Sequence, residues 1–204
     1  MIIRAVFWDL GGVLVRTEDH TTREYLAIRL GMSRTELENL VFAGDSGHRA
    51  QLGEINAEQH WQNLGSILGL EIEEMTGFQQ DFWGGDRLDT ALIEYIRALH
   101  THHKIGLISN AFSDLRHMIT NVWNIEDAFD DMTISSEVGI RKPDPHIFQI
   151  ALERLDVQPH ESIFIDDFPH NVDGARNINM HAIHFQTRDQ TLSELENLLN
   201  ESQR

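Results

Sequence analysis

The sequence predicts an α/β fold: a parallel sheet with helices on both faces, and a small all-helical unit inserted after the first strand. Two observations carry this. Short apolar runs bounded by turn residues alternate with stretches of helical period, which is the pattern of strands joined by helical crossovers. Between residues 16 and 83 the rhythm breaks, and helical candidates follow one another with no convincing strand among them.

The elements follow in order. "AVFWDL" (5–10) opens the strand series. Inside the insert, Thr21–Leu30, Arg34–Phe42, Ala57–Leu68 and Ile72–Trp83 read as helices. Ser33 with Glu36 three residues on forms a capping box, and Asn56 is an N-cap for the helix carrying Trp61 and Leu64. "TALIEYIRALH" (90–100) sets Leu92, Ile93, Ile96 and Leu99 on one side. The strands "KIGLIS" (104–109) and "DMTIS" (131–135) come next. In "PHIFQIALERL" (145–155), Phe148, Ala151, Leu152 and Leu155 share a face behind the N-cap Asp144 and the first-turn Pro145. "SIFID" (162–166) and "HAIHF" (181–185) complete the sheet, and "NLLNESQR" (197–204) ends a surface helix. The arrangement is Rossmann-like. It divides the chain into a core domain, residues 1–15 and 84–204, and an inserted helical domain, residues 16–83.

Composition excludes several function classes. Sixteen Lys and Arg against 33 Asp and Glu give 204 residues a formal charge of -17, which repels nucleic acid and anionic lipid surfaces alike. Neither a nucleic acid nor a membrane is expected as partner. A small phosphorylated metabolite is compatible with that charge, because a local lysine, backbone N–H groups and a cation outweigh a repulsive global field. The absence of cysteine rules out disulfides, thiolate zinc sites and cysteine nucleophiles. The first apolar stretch falls far short of the roughly 20 residues that cross a bilayer, and Arg4 interrupts any resemblance to a signal peptide. The expectation is a cytoplasmic enzyme, and a monomer and a homodimer fit equally.

Polar residues cluster where the strands end. Asp9 closes the first, followed by Gly11 and Gly12; Ser109 and Asn110 close the second; Lys142 follows the third, in "GIRKPDPHIF"; Asp166 and Asp167 close the fourth. Taken alone, Asp9 and its glycines have two readings, a turn or a bare backbone that a small anion approaches. In a doubly wound sheet, however, the carboxyl ends of the strands share one edge, so all four positions converge on one crevice. Adjacent carboxylates repel when both ionise, and three at one edge suggest Mg²⁺, a hard ion that prefers oxygen ligands. The lysine supplies a compensating charge.

At these residues the sequence resembles the haloacid dehalogenase-like hydrolase superfamily, whose four motifs appear in order as "WDLGGVL", "ISN", "RKPDP" and "FIDDFPHNVDGA". The insert stands in the place of that family's small helical cap. Within the superfamily the chain resembles the sugar-phosphate phosphatases related to bacterial glucose-1-phosphatase and to the phosphatase domain of soluble epoxide hydrolase. A response-regulator receiver domain also uses an acid pair and a lysine on a parallel sheet, but there the pair comes first.

The resemblance implies a Mg²⁺-dependent phosphatase acting on a small phosphorylated metabolite, with a sugar phosphate as the expected substrate. It makes Asp9 the nucleophile that becomes an aspartyl-phosphate. Ser109 and the Asn110 N–H hold the transferring phosphoryl oxygens, and Lys142 neutralises them and orients Asp9. Mg²⁺ falls to Asp9, the Gly11 carbonyl and Asp167, with Asp166 close by or acting through water, while Gly12 keeps the backbone open to phosphate.

One position departs from the family. Its phosphatases usually carry a second Asp two residues after the nucleophile, as acid toward the leaving oxygen and base toward water, and here that position is Gly11. The replacements considered are His20 and His48, the latter on the insert and a candidate substrate contact. Two further readings stay open: a metal-free 2-haloacid dehalogenase, disfavoured by the acid pair, and a catalytically silent binding domain. "HTHHK" (100–104) reads as a solvated helix end, and the four tryptophans as packing residues.

Overall fold

The computed structural model describes residues 2–202, so the last two residues of the predicted surface helix lie outside the described residues. Five parallel strands form the central sheet in the order β5-β4-β1-β6-β7: β1 (Ala5–Trp8), β4 (Lys104–Ser109), β5 (Asp131–Ile134), β6 (Ser162–Asp166) and β7 (His181–His184). The alternation along β1 shows how both faces are filled. Val6 and Trp8 join Ile105, Leu107, Ile163 and Ile165 beneath α6 (Thr90–Leu99) and α11 (Arg188–Ser202). Ala5 and Phe7 point the other way, toward Ile147, Phe148, Ala151 and Leu152 of α9 (Pro145–Arg154) and Ala175 of α10 (Pro169–Asn177). Asp144 caps α9 as read from the sequence, its side chain accepting the His146 N–H at 2.9 Å.

The first strand is shorter than "AVFWDL" suggested. It ends at Trp8, although the Asp9 N–H still donates to the Ile165 carbonyl at 2.8 Å. The chain then folds into a tight turn in which the N–H groups of Val13, Leu14 and Val15 all reach the Leu10 carbonyl.

Between Thr21 and Trp83 come α1 (Thr21–Arg29), α2 (Arg34–Phe42), α3 (Asp45–Gln51), α4 (Ala57–Leu68) and α5 (Ile72–Trp83). They enclose an apolar cluster of their own around Leu37, Val41, Trp61, Leu64, Phe78 and Phe82. Ser33 and Asn56 both cap their helices, each in a reciprocal capping box. Two elements here differ from the sequence reading. Helix α3 is additional; its small buried positions Ser46, Gly47 and Ala50 carry no apolar period, and they let it lie directly against α2. A short antiparallel ribbon, β2 (Val15–Thr17) on β3 (Asp86–Leu88), also crosses the expected boundary between residues 15 and 16. Polar pairs hold it, the Thr17 hydroxyl on Asp86 at 2.6 Å and Arg16 on Asp89 at 2.7 Å, so no hydrophobic signal marked it.

A single helical turn, α7 (Leu115–His117), runs on as π-helix to Val122, and another, α8 (Ser135–Val138), follows β5. The segments beyond β4 and β5 touch the inserted helices. Phe112 packs into their aromatic cluster 4.5 Å from His60 and 6.2 Å from Phe42, and the Ser113 hydroxyl accepts the Ala57 N–H at 3.0 Å. The insert therefore lies over the carboxyl edge of the sheet. Among the described residues no helix is long and apolar enough to cross a membrane.

Candidate active site

Every strand of the central sheet runs the same way, so Asp9, Ser109, Lys142, Asp166 and Asp167 all fall at its carboxyl edge. The strand order reverses at β1, which places Asp9 at the crevice between β4 and β6.

Lys142 organises the centre. It is 1% exposed, and its ammonium has three donors and three acceptors: the Ile108 carbonyl at 2.8 Å, Asp9 Oδ1 at 2.8 Å and Asp166 Oδ2 at 2.7 Å. Its backbone is clamped by Asn110, whose side-chain amide donates to the Lys142 carbonyl at 3.0 Å and accepts the Lys142 N–H at 2.8 Å. Burial lowers the Lys142 pKa, but the two carboxylates outweigh it and the net shift is upward, so the ammonium stays charged.

Asp166 is saturated. Besides Lys142, its oxygens accept from the Phe168 N–H at 2.8 Å and from Asn171 at 3.0 and 3.1 Å. Asp167 is the opposite, since its buried Oδ1 has no partner at all. The oxygens of Asp9, Asp166 and Asp167 come within 4.8 Å of one another. Burial, then Asp166, pushes the Asp167 carboxyl up to about 6. Burial also pushes Asp9 up to about 8, with Lys142 opposing and the neighbouring carboxylates adding to it. A crowded acid set with an orphaned inward oxygen suits a hard divalent cation. Gly12, at φ +78°, makes room for the Asp167 carboxylate: a Cβ there would lie 2.2 Å from Asp167 Oδ2.

Ser109, the last residue of β4, is buried at this edge on the strand next to β1. Gly11 is exposed, and nothing lies within 4 Å of the place its Cβ would take. The two histidines considered as replacements for a second acid make no hydrogen bond or ion pair with this cluster. His20 Nδ1 lies 2.6 Å from the Arg34 guanidinium, and His48 is exposed on α3. Asn171 was not singled out from the sequence. It sits inside "FIDDFPHNVDGA" one turn into α10, and only the helix brings it back over Asp166. The histidines of "HTHHK" form no metal cluster among the described residues; His100 pairs with Asp130 at 2.9 Å.

A doubly wound sheet carrying an acid, a serine, a lysine and an acid pair on its carboxyl edge is the architecture of an α/β enzyme, with these residues as its candidate site. The particular class is a hydrolase: the haloacid dehalogenase-like hydrolase family matches residues 3–179, and the chain belongs to it. Among curated relatives, mouse acyl-CoA dehydrogenase family member 10 is 28% identical over 204 residues, 96% of this chain, which spans only 19% of that protein. Sesquiterpene phosphatase astK of Aspergillus oryzae is 24% identical, with 96% of each chain covered. D-ribitol-5-phosphate phosphatase of Bacteroides thetaiotaomicron is also 24% identical, over 84% of this chain and 86% of that one. A HAD family enzyme from the same bacterium, solved with magnesium and inorganic phosphate, superposes with a TM-score of 0.76 at 20% identity, covering 91% of this chain and 96% of that one.

Proposed function

We propose that the chain is a Mg²⁺-dependent phosphatase that hydrolyses a small phosphorylated metabolite, of the sugar-phosphate kind, through an aspartyl-phosphate on Asp9. The observation that carries this reading is the division of labour among the acids. Lys142 holds one oxygen of Asp9 and one of Asp166, which fixes Asp9 while leaving its second oxygen for attack. Asp167 keeps an unpartnered oxygen beside it. The names of two relatives, a sesquiterpene phosphatase and a ribitol-phosphate phosphatase, support phosphate-ester chemistry, and the magnesium bound by a structural neighbour supports the metal.

In this reading Asp9, Asp167 and the Gly11 carbonyl would hold the ion, and Asp166 positions Lys142 rather than ligating directly. When bound, Mg²⁺ neutralises the crowded carboxylates and the phosphoryl charge. A free Asp9 oxygen attacks phosphorus and the ester oxygen departs. The Ser109 hydroxyl and the Asn110 N–H hold the equatorial oxygens, and the Lys142 ammonium, its three N–H groups already engaged, neutralises their charge. Water then attacks the phosphorus of the aspartyl-phosphate, releasing phosphate and restoring the carboxylate. We assign the helical unit, residues 16–83, as a cap that closes over this edge, with His48, exposed on α3, as its candidate substrate contact.

Phosphate release from a panel of phosphorylated metabolites tests the reading. Activity should vanish in EDTA and return with added Mg²⁺; full activity in EDTA, or metal-independent halide release from a 2-haloacid, overturns it. Position 11 gives a second test. No acid stands there, so the leaving oxygen receives no proton from this position, yet the space is open and the backbone is not in the left-handed region. Gly11→Asp should raise kcat on alkyl phosphates by about tenfold or more, with little change on p-nitrophenyl phosphate, which needs no proton. An equal change on both esters would show that position 11 does not reach the leaving oxygen.

A further inference from the structure

Arg141, the residue before Lys142, is a cation with no anion. Every other arginine among the described residues has an ion pair or hydrogen bond within the chain. The Arg141 side chain has neither, although its Nη1 is enclosed and the chain carries 33 acidic residues. Burial alone lowers its pKa, and no carboxylate offsets that. An enclosed guanidinium nitrogen without an acceptor is costly, and the planar fork matches a carboxylate or a phosphate.

The second observation lies on the same segment. Residues 135–141 leave the carboxyl end of β5 and lead to Lys142, and within them the Ser136 hydroxyl is also buried without a partner. This segment forms the seam with the inserted helices. Gly53, at φ +72°, passes so close that a Cβ would lie 2.1 Å from the Ser136 carbonyl oxygen, and the Leu52 carbonyl lies 3.9 Å from the Cβ position of Gly139. Two unsatisfied donors thus stand on one short stretch, Arg141 next to the lysine that holds Asp9 and Ser136 at the seam with the inserted helices.

We propose that Arg141 and Ser136 form a leaving-group subsite for a second anionic group, so that the preferred substrates are phosphate esters that also carry a carboxylate or another phosphate. This rests on the phosphatase reading above. It narrows the class from sugar phosphates in general to bisphosphates and phosphorylated acids.

Matched ester pairs test it: glucose 1-phosphate against glucose 1,6-bisphosphate, and glycerol phosphate against phosphoglycerate, with p-nitrophenyl phosphate as the control for phosphatase activity itself. The doubly anionic member of at least one pair should be favoured in kcat/KM by about tenfold or more, the scale of a hydrogen bond to a charged group. Which pair shows the preference distinguishes phosphate from carboxylate. Arg141→Gln should collapse the preference through KM, Arg141→Lys should keep part of it, and Ser136→Ala should reduce it less. No preference in the unmodified protein overturns the subsite. So does a preference that survives Arg141→Gln, or an equal loss on every ester, which marks a structural role. If Arg141→Gln does not fold, Arg141→Lys and Ser136→Ala decide by the same ratio. Absence of Asp9-dependent phosphate release from every ester, p-nitrophenyl phosphate included, is a different result and removes the phosphatase reading on which the subsite rests.

Discussion

Asp9→Asn should yield a folded protein whose phosphatase activity is at least about 10³-fold down, the scale seen when a catalytic nucleophile is removed. The side chain keeps its shape and loses the charge that would make it both nucleophile and metal ligand. Stability should move the other way in metal-free buffer. The folded state raises the Asp9 carboxyl from 3.8 to about 8, so between those values the native protein holds a proton that the unfolded chain releases. Stability from this group is therefore present at low pH and lost as pH rises toward 8. Asparagine has no such titration, so the variant's Tm in EDTA should match or exceed that of the unmodified protein, by a margin that widens from pH 5 to pH 8. Undiminished phosphate release, with deamidation excluded by mass spectrometry, would return Asp9 to a turn residue.

That experiment also separates the two meanings the opening motif had as sequence. The fold around it was legible because each device is local. Apolar runs and helical periods gave the sheet and its covering helices, and Ser33, Asn56 and Asp144 cap the helices they were read to cap. What escaped was held by polar or small residues. The β2–β3 ribbon is three residues a side and joined by Thr17–Asp86 and Arg16–Asp89, pairs separated by about 70 positions. Helix α3 buries Ser46, Gly47 and Ala50, which no hydrophobic period marks.

The site divides in the same way. Its members could be listed because each stands at a strand end, and parallel strands bring those ends to one edge. Their partnerships could not. Lys142 was read as the residue that orients Asp9, yet it is shared with Asp166, 24 positions away, and Asn171 completes the hold on Asp166 from a different helix. Such contacts depend on how α10 packs behind β6, which residue type and spacing do not encode.

The sharing makes Lys142 the residue whose removal disturbs most at once. Lys142→Ala should lower kcat/KM by about 10²-fold or more, because the ammonium that would face the phosphoryl oxygens is gone and Asp9 loses its anchor. It should also destabilise the protein by about 3–5 kcal/mol near neutral pH, since a buried ion pair broken on one side leaves uncompensated charge. Asp9 and Asp166 are both buried, and the Ile108 carbonyl loses its donor as well. The loss should depend on pH in a definite sense. Without the ammonium the Asp9 carboxyl rises further, so it favours its protonated form in the fold, and stability falls as pH climbs through its raised value. Melting in EDTA should therefore show the variant nearest to the unmodified protein at pH 5 and furthest from it at pH 8. Lys142→Met, which fills the same space, should recover part of the packing and none of the activity. Activity that survives in a folded Lys142→Met would mean that the lysine serves the fold alone.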